Sequence, residues 1–311
     1  MADVKAPSDT KRFSTVTPTV SQSPDQPDAP ITRESLDHRP GRSGQMRRPA
    51  KWDLSRKPHK PDPHTDARLG GCSLRALRSR FVDVPVALLP SPLLGPAVWR
   101  PVAKALSLYG WVVKTAPAGE RAPTGPSDVL RTFLAALPPD KDIVLVAHSN
   151  AGLYVPALVQ ERRVVANVFV DAGLPVRNGR VPLAPPAFRD FLLQKADADG
   201  LLPEWTHWWD ETDLEGLFPS AGVREQVERE QPRLPLSYFQ ESLPAPLGWD
   251  DRPCAYLAFG DTYSTERNEA EARGWPVTTL PGQHLHTLVA PEQVAAAIDA
   301  LLRRLGIDPK S

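Results

Sequence analysis

From about Val84 onward this 311-residue sequence predicts an α/β fold, with a mostly parallel, doubly wound sheet of about six strands. Three observations carry that prediction. Short apolar, β-forming runs alternate with segments of helical spacing. The runs are apolar throughout rather than at every second residue, as expected of strands buried on both faces of a parallel sheet. One of them, within 142–152, runs straight into a corner of small residues that opens the next helix.

The elements follow in order. Residues 86–90 read as a buried strand. Residues 101–109 read as a helix, with Pro101 in its first turn and Gly110 closing it. Residues 111–116 are a second strand, and 127–137 a helix opened by a serine or aspartate cap. The third strand ends at the corner that holds Ser149, with Ala147 and Ala151 two residues away on either side. A serine on such a strained turn has its hydroxyl pushed above the sheet edge, and bulky neighbours would block it. Pro156 lies in the helix expected next, where it removes an N–H and should kink or shorten that helix. Residues 164–170 are a fourth strand. After a long interruption, about 180–249, come strands at 253–259 and 275–280, with helices at 265–273 and 291–305.

Outside this region the texture differs. Ten of the chain's 36 prolines fall in a Pro-, Ser-, Asp-, Lys- and Arg-rich stretch over residues 1–80. That stretch has too little apolar surface to offset its ordering entropy, so it reads as a disordered tail. No apolar core of a secretory leader follows the first charges, and scattered aspartates argue against a transit peptide. The basic runs 46–51 and 56–60 read as solvated tail, because interleaved aromatics that would stack on nucleobases are lacking within them, Trp52 standing alone between the two. Met46 offers an alternative start that would remove half of the tail. Thirty-seven basic and 37 acidic residues cancel, so no net field favours a polyanionic partner. The two cysteines, Cys72 and Cys254, do not form a disulfide framework. No apolar run reaches membrane-spanning length, so a soluble, cytoplasmic protein is expected. The Arg-, Ala- and Pro-rich usage points to a GC-rich bacterial source.

The stretch 142–152 resembles the nucleophile elbow of the α/β-hydrolase family, small-x-Ser-x-small between a strand and a helix. Ala147 and Ala151 stand where most of the family has glycine. The resemblance covers roughly 84–305. Residues 89–99 resemble the first strand and loop of the esterase and hydroxynitrile-lyase branch, with Ser91, Gly95 and Trp99 at the matching positions. The resemblance implies a hydrolase domain over 81–311 that holds the last six strands of the family's sheet. The cap of the family would be inserted at about 180–249.

It also implies a site. Ser149 would be the nucleophile and the N–H of Asn150 one oxyanion donor. The loop donor would come from the position of Pro92, which has no N–H, so Leu93 is the alternative donor. Among seven histidines, His38, His59 and His64 lie in the tail, His207 in the insertion, and His148 beside the serine but pointing away from its hydroxyl. Of the remaining two, counting back from Pro291 favours His284 as the base. His286 would pack or contact substrate. The acid would be Asp261, just after the fifth strand, with Asp171 after the fourth as the alternative. Trp205, Trp208 and Trp209 have i, i+3, i+4 spacing, so one helical face would be aromatic, gluing the cap to the core or lining an apolar substrate site. The acidic residues of the insertion lack metal-ligand spacing, so neither a metal nor a cofactor is expected. The expected function is hydrolysis of a carboxylic ester, lactone or thioester of a small apolar molecule. No nucleic-acid or membrane partner is expected. A lyase or cyclase on the same fold, or a non-catalytic ligand-binding protein, is the alternative.

Overall fold

The computed structural model describes residues 84–309. The disordered tail expected over 1–80, with its basic runs and Cys72, lies outside the described residues.

In chain order the strands are β1 (Val86–Leu89), β2 (Val113–Thr115), β3 (Ile143–His148), β4 (Val164–Val170), β5 (Gly179–Pro182), β6 (Ser242–Ala245), β7 (Cys254–Phe259) and β8 (Val277–Leu280). Six of them form one sheet, in the order β2-β1-β3-β4-β7-β8. Every neighbouring pair in that sheet is parallel. Strands β1, β3 and β7 are buried at every position, which is why their sequences show no alternation.

The helices are α1 (Arg100–Leu108), α2 (Pro126–Ala136), α3 (Val155–Glu161), α4 (Pro186–Leu193), α5 (Glu211–Leu214), α6 (Ala221–Glu228), α7 (Ser264–Ala272), α8 (His286–Val289) and α9 (Pro291–Arg304). Five of them, α1 to α4 and α9, carry proline in the first two positions, where a missing N–H costs nothing. Pro156 is one of these. The segment after β3 first runs as a 3-10 helix, Ser149–Tyr154, and α3 begins only at Val155. The proline therefore sits at the seam between two helix types and breaks no α-helical hydrogen bond.

The strand order reverses at β1, which has β2 on one side and β3 on the other. In an open parallel sheet, loops at the carboxyl ends of strands beside such a reversal part to form a crevice. The segments after β1, β3, β4, β7 and β8 all emerge at that end.

Over the expected insertion the chain builds a small layer of its own. It has the antiparallel pair β5–β6, helices α4 to α6, and 3-10 turns at Trp205–Trp208 and Leu236–Gln240. Aromatic contacts form its centre, where Phe188 packs on Phe191, Trp208 and Phe239. The aromatic helical face expected of Trp205, Trp208 and Trp209 does not form. Only one 3-10 turn is present, and Trp209 follows it in extended backbone (φ −117°, ψ 154°). A 3-10 turn repeats every three residues, so i, i+3, i+4 spacing does not define a single face there. The rings do not line up: Trp208 packs on Phe239, while Trp205 and Trp209 meet edge-on with centroids 5.8 Å apart, Trp209 also stacking on Phe191 and Trp205 lying toward His284. Among the described residues no helix is long and apolar enough to cross a membrane.

Candidate active site

Strand β3 ends at His148, and Ser149 turns the corner with φ 59°, in the left-handed region. A non-glycine residue there is strained, and the surrounding packing must hold it. Ala147 and Ala151 are both fully buried, so one methyl at each position fits. The strict need for glycine lies one residue later. A Cβ on Gly152 would stand 2.3 Å from the carbonyl oxygen of Gly173. That close approach lets the Gly173 N–H donate to the Ser149 carbonyl at 3.1 Å. The corner is thereby clamped to the loop that follows β4.

That loop begins at Asp171, also left-handed (φ 42°) and fully buried. Its backbone N–H donates to Leu257 at 2.7 Å. Its Oδ1 accepts the Phe259 N–H at 2.9 Å, and its Oδ2 lies 2.7 Å from His284 Nδ1. His284 Nε2 is 3.0 Å from Ser149 Oγ. Asp171, His284 and Ser149 thus form one hydrogen-bonded line. A histidine held this way can take the serine proton during attack and return it to a leaving group.

The acid favoured from the sequence stands elsewhere. Asp261 is two-thirds exposed, at 68%, and pairs with Arg267 at 3.6 Å. The chain leaves β7 through Gly260 (φ 61°), which packs against Gly282, and the aspartate that follows faces solvent. Asp171 fills the position next to His284 instead.

His284 has further neighbours. The ring of His148 stacks on it, with centroids 4.7 Å apart, and His148 Nε2 is 3.0 Å from the His284 carbonyl oxygen. Because a carbonyl only accepts, that nitrogen carries the proton. Burial, with the charge of a protonated His284 beside it, holds the His148 pKa well below the usual histidine value, so the ring is neutral. His286 packs its ring on Phe259 and against Gly282. Trp205 lies over His284 with centroids 6.1 Å apart.

Asn150 is the second residue of the 3-10 segment, where the first backbone N–H groups have no intrahelical acceptor. Its side chain is tied to the cap layer. Nδ2 donates to the Leu183 carbonyl at 3.2 Å, and Oδ1 accepts the Tyr238 hydroxyl at 3.1 Å. Tyr238 in turn lies 2.6 Å from the Tyr154 hydroxyl. The other donor expected, Leu93, is engaged within its own turn. Its N–H is directed at Ser91 Oγ at 3.4 Å, and those of Leu94 and Gly95 both reach the Ser91 carbonyl. With Pro92 lacking an N–H, the loop folds its donors back onto Ser91. Gly95 (φ 76°) is needed where this loop meets Glu230, and Trp99 packs edge-on against His148.

One side chain of the site carried no signal in the sequence. Tyr263 lies with its ring 5.5 Å from that of His284. Burial pushes its pKa up, and the negative charges of Asp171 and Glu266 push the same way. Glu266 is itself raised by burial. An open cleft runs past Ser91, Pro92, Arg121 and Glu230, but neither Ser149 nor His284 lines it. Among the described residues no cluster of three or more His, Cys, Asp or Glu could hold a metal ion. Cys254 has its thiol pKa pushed up to about 12 by burial, which leaves it unreactive.

A doubly wound parallel sheet with a serine at a left-handed strand-to-helix corner defines a recognisable fold class. The sequence model of the alpha/beta hydrolase family matches residues 93–297, more than half of the chain, and the protein belongs to that family. Solved structures agree on the fold. An extracellular α/β-hydrolase from a Paenibacillus species, described as a structural and functional homologue of tobacco salicylic acid binding protein 2, superposes with a TM-score of 0.57 at 17% identity. It covers 70% of this chain and 99% of its own. Tomato methylketone synthase I, in complex with β-ketoheptanoate, gives 0.55 at 14% identity over 72% and 100%. An Arabidopsis methylesterase gives 0.52 at 15% identity over 72% and 99%. No curated protein matches.

Proposed function

We propose that this protein is a serine hydrolase that cleaves a carboxylic ester, lactone or thioester of a small apolar substrate. The observation that carries the reading is the hydrogen-bonded line from Asp171 through His284 to Ser149. In this reading Ser149 Oγ attacks the acyl carbon while His284 Nε2 takes its proton, and Asp171 steadies the imidazolium that results. The Asn150 N–H binds the oxyanion. His284 then protonates the leaving group, and water repeats the cycle on the acyl-enzyme. Trp205 above His284 supports an apolar substrate, and the methylesterase neighbour has the same reaction class in its name. Neither a metal nor a cofactor enters these steps, and a small molecule is the partner.

The second reading is a lyase or cyclase on the same fold, or a binding protein without turnover. It is favoured by the loop after β1, whose N–H groups turn back onto Ser91. A fluorophosphonate probe, followed by a panel of p-nitrophenyl esters, separates the readings. The wild type is expected to label and to turn over esters, and Ser149→Ala and His284→Ala to lose both. A wild type that does not label removes the activated serine from consideration. Labelling without ester turnover favours the second reading.

A further inference from the structure

We propose that His148 is a positioning residue for the base of this site: by hydrogen-bonding the main chain of His284 and stacking on its ring, it fixes where that imidazole stands against Ser149. The proposal rests on the serine-hydrolase reading above.

The need for such a residue follows from the sheet order. Ser149 leaves the end of β3 and Asp171 the end of β4, neighbouring strands on which His148 stands opposite Val170. The sheet itself therefore places these two side chains. It does not place His284, which stands on the loop after β8, three strands away from β3. At the usual strand spacing that is roughly 14 Å. The loop has to reach back across the ends of β7 and β4 to bring its ring to the serine. Asp171 holds the ring at one atom, Nδ1, at 2.7 Å. A ring pinned at one atom can still swing with its main chain.

His148 supplies the second point. It is the last residue of β3, so its backbone moves with that of Ser149. Its Nε2–H donates to the His284 carbonyl at 3.0 Å. The two rings stack, with centroids 4.7 Å apart and planes 25° apart. The base's loop is thus tied, where it reaches furthest, to the nucleophile's own strand. His148 is held in turn, being fully buried with the Trp99 ring edge-on at 5.8 Å. Among the described residues its Nδ1 has no hydrogen-bond partner. An imidazolium would bury a bare N–H there, at a cost that keeps the ring neutral. A neutral ring adds no second charge beside His284 when that residue takes the serine proton. His148 itself moves no proton.

The test compares wild type with His148→Phe, His148→Gln and His148→Asn. Phe keeps a flat ring but has no donor. Gln carries an amide N–H at about the reach of Nε2, and Asn falls short of it. Labelling with a fluorophosphonate to completion counts the reactive serines, and kcat on p-nitrophenyl esters is expressed per labelled serine. The comparison then holds for whatever fraction of a variant folds. In His148→Phe and His148→Asn that kcat is expected to fall by roughly 10²-fold, the cost of a misplaced base. KM is expected to change little, because a fully buried ring does not touch substrate. His148→Gln is expected to recover most of the loss. Phe or Asn turning over esters at the wild-type rate per serine overturns the proposal. So does a Gln variant that falls as far as Phe, which marks a packing role. In either case a wild type that labels and turns over esters leaves the serine-hydrolase reading standing. A wild type that does not label fails that reading, and this proposal with it.

Discussion

Asp171 and Asp261 are both aspartates at the carboxyl ends of neighbouring parallel strands, and their surroundings are opposite. Asp171 is fully buried, with one oxygen on the Phe259 N–H and the other on His284. Asp261 is mostly in solvent beside Arg267. The pair gives a sharp prediction. In Asp171→Asn the amide carbonyl can still accept from Phe259, but its NH₂ then faces His284 Nδ1. The histidine must accept there and carry its proton on Nε2, the tautomer that cannot take a proton from Ser149. Ester kcat is expected to fall by roughly 10³–10⁴-fold with the fold retained. Asp261→Asn removes an exposed pairing and is expected to leave kcat within about twofold of wild type, since surface ion pairs contribute little. Steady-state kinetics on p-nitrophenyl esters with circular dichroism checks both.

At the scale of elements, the corner after β3 is held by what it touches rather than by its own sequence. The left-handed Ser149 persists because its carbonyl accepts the Gly173 N–H and because Gly152 lets the two loops meet. Gly152→Ala would bring a Cβ to 2.3 Å from a backbone oxygen, so one loop must move. The expected cost is about 1–3 kcal/mol in urea denaturation, with a larger loss in kcat because Asp171 lies on the displaced loop. Ala151→Gly, one residue earlier, is expected to be mild in both measurements, since its methyl already fits. The cap layer reaches the same corner through Asn150, which Leu183 and Tyr238 hold from opposite sides. The elbow is therefore braced from above by the cap and from the side by the loop after β4.

For the molecule as a whole, buried titratable groups set how stability responds to pH. His148 is neutral in the native state and its pKa is depressed by burial, while in the unfolded chain it titrates near about 6.5. Below that value the unfolded state takes up a proton that the native state does not. Stability present above about pH 6.5 is thus lost as the pH falls, with a slope approaching about 1.4 kcal/mol per pH unit. His286, also depressed by burial, adds the same sign. Glu266, raised by burial, holds its proton longer in the native state and opposes them at lower pH. The difference between wild type and His148→Gln isolates the largest contributor. Melting temperature is expected to fall less steeply between pH 7 and pH 5 in the variant (a window chosen around the unfolded value of about 6.5). An unchanged slope would remove His148 from that role.

Much of this molecule could be read from one dimension. Strands buried on both faces must be apolar throughout, helices that start on proline announce themselves, and a serine between alanines at a strand end is a local steric pattern. Those signals are short-range, so the sheet, the corner with Ser149, and the loop bearing His284 followed from the residues themselves. The rest depended on distance in space. Which of Asp171 and Asp261 stands beside His284 depended on which strand end faces that histidine, and Tyr263 reached the ring of His284 through the turn at Gly260. Whether Leu93 could donate was decided by the closing of a turn on Ser91, and the directions of Trp205, Trp208 and Trp209 by a 3-10 turn where an α-helix was expected. Sequence spacing sets what a segment can bury, but a hydrogen bond between residues more than a hundred positions apart exists only once the sheet has brought its strand ends together.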